Sequence, residues 1–192
     1  MKTINVYSFN ELSETAKQKA IKDYLNNDNF VYELDFFKDD IENQLKEKNI
    51  GMTDLTYSLS YSQGDGLSFS SEFDVAFYVN KCFTELSEKR KSILVDLIHK
   101  IESTKNNGHY CYASKKDIEI IPNYNDLSDY KHTNIYKYIN KLETYIQDLY
   151  MDLCKDFENQ GYKEIKYQSS VEYISETLII NEYEFLENGT KI

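Results

Sequence analysis

LTYSLSYSQGDGLSFSSEFDV, residues 55–75, carries the clearest fold signal in this 192-residue chain. Leu55, Tyr57, Leu59 and Tyr61 alternate with Thr56, Ser58, Ser60 and Ser62. Beyond the glycines, Leu67, Phe69, Phe73 and Val75 alternate with Ser68, Ser70, Glu72 and Asp74. A period of two on both sides of a turn predicts a half-buried antiparallel hairpin. Asp65-Gly66 is the dipeptide expected to supply the positive φ angles of its bend. The Ser-rich face is expected to meet water or a partner. Tyr57, Tyr61 and Tyr145 are read as core, and Tyr130, Tyr136 and Tyr150 as lying on polar faces or in loops.

Working outward, INVYSF (4–9) alternates and predicts a first strand. Ser13 is placed to cap a helix over 14–26, whose Ala16, Ala20, Ile21 and Tyr24 share one face. Val31, Leu34, Phe37, Ile41 and Leu45 form a second helical stripe, with Gly51 after its end. Leu86, Ile93, Leu94, Leu97, Ile98 and Ile101 predict a third helix near 85–104. HYCYAS (109–114) and DIEII (117–121) read as a strand pair closed by Pro122, the only proline. From Ile135 to Phe157 apolar residues recur by fours and threes. That spacing predicts a helix of roughly 25 residues, about 37 Å long, stopped by Gly161. Ser169 with Glu172 suggests a capping box for a short helix to about Ile180, and EYEF (182–185) a closing strand. The expected fold is one α+β domain over 1–192: an antiparallel sheet with a central hairpin and about five helices, one of them long. The polar stretch 123–133 is the candidate internal boundary.

Hydrophobic residues are 41% of the chain and charged residues 29%, which argues against disorder throughout. No apolar run reaches the ~20 residues that span a bilayer, and the N-terminus lacks a secretory apolar core, so a cytoplasmic location is expected. The net charge is −11, and Arg90 is the only arginine. Specific nucleic-acid binding draws on the opposite balance, so direct binding to nucleic acid is not expected. Nor is membrane association.

Asp65 on its glycine-flanked tip could orient water or hold a metal, but no second acid at defined spacing accompanies it. The turn reading is preferred. His109 and Cys111 would share a strand face, yet a structural zinc site needs four ligands and no supporting spacing exists. The three cysteines, Cys82, Cys111 and Cys154, form no CxxC pair. No catalytic residue, metal or cofactor is therefore assigned. Acids cluster instead: Glu33, Asp35, Asp39, Asp40 and Glu42 along the second helix, then Glu172, Glu176, Glu182, Glu184 and Glu187. Such rows are usually solvated faces, but they can also enter a basic nucleic-acid channel. The candidate partner-binding set is Asp35, Asp39, Asp40, Glu42, Gln63, Asp65, Glu182, Glu184 and Glu187.

Three segments, YSFNELSETAKQKAI (7–21), YSQGDGLSF (61–69) and INEYEFLENG (180–189), together resemble a family of small proteins encoded by phages and prophages. Its members are labelled hypothetical or as the antitoxin of a toxin–antitoxin stability system. The resemblance carries no catalytic residues. It implies an accessory phage protein acting in a bacterial host. The leading expectation is an inhibitor of a host defence nuclease, most specifically an anti-CRISPR protein occupying a basic nucleic-acid groove. The alternatives are an antitoxin-like module that binds a toxin through the Ser/Tyr face, and a metal-dependent hydrolase using Asp65.

Overall fold

The computed structural model describes residues 5–27, 31–106, 110–123 and 135–192. Among these residues the fold is α+β. It contains six α-helices, a four-stranded antiparallel sheet and a two-stranded one. The chain packs as two compact units: residues 1–33 with 162–192, and residues 34–161. The 123–133 stretch, offered as an internal boundary, lies outside the described residues apart from Asn123.

The unit 34–161 is built on the hairpin. Strands β2 (Ile50–Ser58) and β3 (Gly66–Phe73) pair antiparallel, with Leu55 opposite Phe69 and Tyr57 opposite Leu67. β4 (Ile98–Ser103) and β5 (Ile118–Pro122) extend the sheet in the order β2-β3-β4-β5. Phe37, Ile41 and Leu45 of helix α2 (Asp35–Lys46) are buried in the same core as Leu67 and Phe69, as their four-residue spacing requires. Leu142, Ile146, Leu153 and Phe157 of helix α5 (Ile135–Gln168) join them.

Several expectations are corrected in this unit. The run Val75–Cys82 is helix α3, not a continued strand, because Asp74 caps it by accepting a hydrogen bond from the Phe77 amide at 2.6 Å. The single helix expected over 85–104 is α4 (Glu88–Leu97) followed directly by β4. Ile98 and Ile101 face the core from a strand, where pairing with both β3 and β5 outweighs their helical spacing. Val31 precedes α2 and is exposed rather than part of its stripe, and Gly51 lies within β2. Tyr110–Ser114 has no regular structure, and His109 and His132 fall outside the described residues.

Gly161 does not stop the long helix. α5 runs for 34 residues, about 51 Å at 1.5 Å per residue. A Cβ at Gly161 would overlap Leu59 Cδ1 and lie 3.0 Å from Phe37 Cζ. The glycine is there for close packing, and the helix absorbs its poor propensity of about 1 kcal/mol.

The other unit joins distant parts of the chain. The first strand is shorter than the alternation suggested: β1 is Tyr7–Ser8, followed by a 3₁₀ turn over Phe9–Glu11. It pairs with β6 (Glu184–Phe185), placing Tyr7 opposite Phe185. Helix α1 (Glu14–Leu25) starts where expected, with Ser13 accepting from the Ala16 amide. Helix α6 (Val171–Ile180) is capped by Ser170, one residue later than predicted. Phe9, Leu12, Ala16, Ala20, Ile174, Leu178 and Phe185 form this unit's separate core.

Candidate protein-binding surfaces

Ser58 pairs with Gly66, so residues 59–65 form the loop that joins β2 and β3. Its bend is not Asp65-Gly66. The Asp65 amide donates to the Ser62 carbonyl, and Gly64 occupies the third position of that turn at φ 100°. A type II turn needs a positive φ there, which glycine adopts without strain. Asp65 closes the loop from within. Its Oδ1 accepts from the Ser58, Ser60 and Ser62 hydroxyls at 2.8, 3.0 and 3.0 Å. Its Oδ2 accepts from the Ser62 amide at 3.1 Å. Four donors converge on one half-buried carboxylate, which suits a loop clasp better than a reactive group.

Asp65→Ala is therefore expected to cost about 1–3 kcal/mol in chemical denaturation, because it strands these donors. Amide exchange should accelerate selectively over 59–65. A variant with unchanged exchange in that loop would refute the clasp.

The loop presents aromatic surface. Tyr61, expected in the core, is 72% exposed and sits at φ 57°. A non-glycine residue there carries backbone strain. Segment 110–112 lies against the hairpin: the Cys111 amide donates to the Gly64 carbonyl at 3.2 Å. The Tyr110 and Tyr112 rings stack at 5.6 Å between centroids, both partly exposed, and Gly64 leaves room for the Tyr110 ring. Exposed Gln63 completes this Tyr/Ser/Gly tip. Rigid tyrosines flanked by small polar residues suit protein recognition.

The Ser-rich face itself is not open as expected. Ser68 is buried and Ser70 half-buried. Ser68 Oγ accepts from the Asn106 amide, and Ser70 Oγ from the Lys105 amide, so these serines seat the segment leaving β4. Ser71 and Ser103 share a hydrogen bond of 2.9 Å, and Ser103 donates to the Phe69 carbonyl. The tyrosine assignments also reverse at Tyr150, which is wholly buried rather than on a polar face. Tyr136 is exposed as read, Tyr57 is partly exposed and Tyr145 half-buried; Tyr130 lies outside the described residues.

The acidic candidates divide between the two units. On α2, Asp39 and Asp40 are exposed beside the exposed ring of Phe36. Asp35 opens that helix. Glu42 pairs with Lys46 at 2.7 Å, and hydrogen bonding and charge from Lys46 hold its carboxyl below the usual range. The longer helix adds Asp152 and Asp156, exposed one turn apart on α5, which the sequence reading did not single out. Their signal was the four-residue spacing, each acid one position before a core residue, Leu153 or Phe157. In the other unit Glu182, Glu184 and Glu187 are all exposed.

No family model, curated protein or solved structure matches this chain.

Among the described residues no group of three or more His, Cys, Asp or Glu is arranged to hold a metal ion. Cys154 is buried, and burial pushes its thiol well above the usual range. Cys82 is half-buried, its thiol raised by the same cause. Neither has the environment of an activated thiolate. No helix among the described residues is long and apolar enough to cross a membrane.

Proposed function

We propose that this chain binds and inhibits a host nucleic-acid-directed nuclease, most specifically as an anti-CRISPR protein that occupies a basic guide- or target-binding groove. The observation that carries this reading is the exposed acidic face of α2, with Asp39 and Asp40 solvated on a chain of net charge −11. Fixed carboxylates on a rigid helix raise the association rate with a basic groove and repel free polyanions. The clasped Tyr61–Gln63 tip adds contact area at low entropic cost. The resemblance to phage-encoded proteins supplies the biological setting.

The test is a titration of the purified chain against a CRISPR effector complex at rising salt. Association is expected to slow by about tenfold or more between low and physiological ionic strength. Asp39→Asn/Asp40→Asn should slow it further and flatten the salt dependence. Affinity indifferent to ionic strength, or no binding, would overturn the reading. The exposed Tyr61, Tyr110 and Tyr112 rings favour a second reading, an antitoxin-like module that neutralises a toxin. Co-purification with a toxin from a bacterial lysate would select it.

A further inference from the structure

A groove of about 430 Å³ opens in the unit that joins the two ends of the chain. Val6, Leu178 and Ile179 line it together with Glu11, Glu182 and Glu184. Among the described residues no lysine or arginine lines it. Val6 and Ile179 are each more than two-fifths exposed, although both are aliphatic. The Ser8 amide and hydroxyl both donate to Glu11, at 2.8 and 2.9 Å, which keeps that carboxylate ionised and fixed at the groove. Glu182 and Glu184 are exposed, and neither has an ion-pair partner among the described residues.

The same region already attracts cations onto its rings. Lys17 lies over Phe9 at 5.9 Å and Lys191 over Tyr183 at 3.3 Å, and both rings belong to lining residues. Aliphatic and acidic residues lining one groove are complementary to a segment that alternates aliphatic side chains with lysine or arginine. An acidic or purely polar segment would lack half of that match. We infer that this groove docks a short basic–aliphatic segment of a partner protein, with its aliphatic side chains on Val6 and Ile179 and its cations on Glu11, Glu182 and Glu184. The inference stands apart from the nuclease reading, because it concerns a linear peptide and the other unit's surfaces play no part in it.

The experiment titrates fluorescein-labelled Lys-Leu-Lys-Leu-Lys into the full chain and follows anisotropy. Lys-Ser-Lys-Ser-Lys and Glu-Leu-Glu-Leu-Glu serve as comparison probes. The first is expected to bind at least about tenfold more tightly than either comparison, since only it offers both features. Glu182→Gln/Glu184→Gln should weaken it about three- to tenfold, and Ile179→Ser by a similar factor. All three positions are at the surface, so an unchanged circular dichroism spectrum separates lost binding from lost folding. Asp39→Asn/Asp40→Asn, in the other unit, should leave this affinity unchanged. Equal binding of the serine probe, or indifference to the glutamine changes, would overturn the inference. So would tenfold tighter binding after removal of residues 1–4, which would assign the groove to the chain's own N-terminal segment.

Discussion

Tyr150→Ala is expected to destabilise the unit 34–161 by about 3–5 kcal/mol, a large part of the total stability of a domain. The side chain is wholly buried and packs on Phe69, with ring centroids 4.8 Å apart. Truncation leaves a ring-sized cavity between α5 and β3. The hydroxyl has a second task. The β3–β4 register ends at Ser71, and two residues further on the backbone of Phe69 is met by side chains instead. The Phe69 amide donates to the Tyr150 hydroxyl at 3.3 Å, and that hydroxyl donates to the Phe69 carbonyl at 3.1 Å. Burial holds this phenol far above its ordinary pKa, and the Phe69 amide, by donating to it, offsets part of that rise. Tyr150→Phe keeps the packing but strands a buried amide, and should cost about 1–3 kcal/mol. The Phe69 carbonyl retains Ser103. Urea denaturation of both variants is the measurement. If the phenylalanine variant matched the native stability, the hydroxyl would have no part in holding β3.

Gly189→Ala comes next, at about 2–4 kcal/mol, and should act on the other unit. Gly189 sits at φ 81°, a conformation that penalises any side chain. Its added Cβ would also overlap the carbonyl oxygen of Ala16, a backbone atom of α1 that cannot rotate away. The turn is tied to α1 nearby, where Lys19 Nζ donates to Thr190 Oγ1 at 2.7 Å. Gly161→Ala is the comparison. There the obstructing atoms are the ends of Leu59 and Phe37, which can shift, and the helix gains propensity. Its cost should stay below about 1.5 kcal/mol. Thermal melts of the two variants test the ordering; a reversal would mean that the Gly189 turn relaxes off α1.

The hairpin was legible because each of its strands obeys one period for several residues, and only the 2.0 repeat buries Leu67 and Phe69 together. α1 was legible from Ser13, and α5 from its fours and threes. Helix α3 was missed because Val75–Val79 is rich in β-branched and aromatic residues, while the deciding group was a single cap at Asp74. β4 was hidden because Leu94, Leu97, Ile98 and Ile101 satisfy helical spacing, and only pairing with distant Phe73 and Ile120 selects a strand. Tyr61 and Tyr150 exchanged roles for a related reason. Alternation continues through Tyr61, but a loop turns it outward; Tyr150 reads as polar until a backbone needing its hydroxyl is brought beside it. The exposed acids of α2 were readable from helical spacing alone. The clasp at Asp65 was half readable: the turn composition was plain, the convergence of three serine hydroxyls was not.

The pairing of β1 with β6 imposes an order on biosynthesis. Residues 7–8 must wait for residues 184–185 before either has a partner. Residues 34–161, by contrast, form an uninterrupted stretch that can close as soon as it leaves the ribosome. At about 5–20 residues per second, the remaining segment takes a few seconds to appear. During that interval Phe9 and Leu12 lack the Leu178 and Phe185 side chains with which they later share a core, so their apolar surface stays uncovered until α6 and β6 have been made.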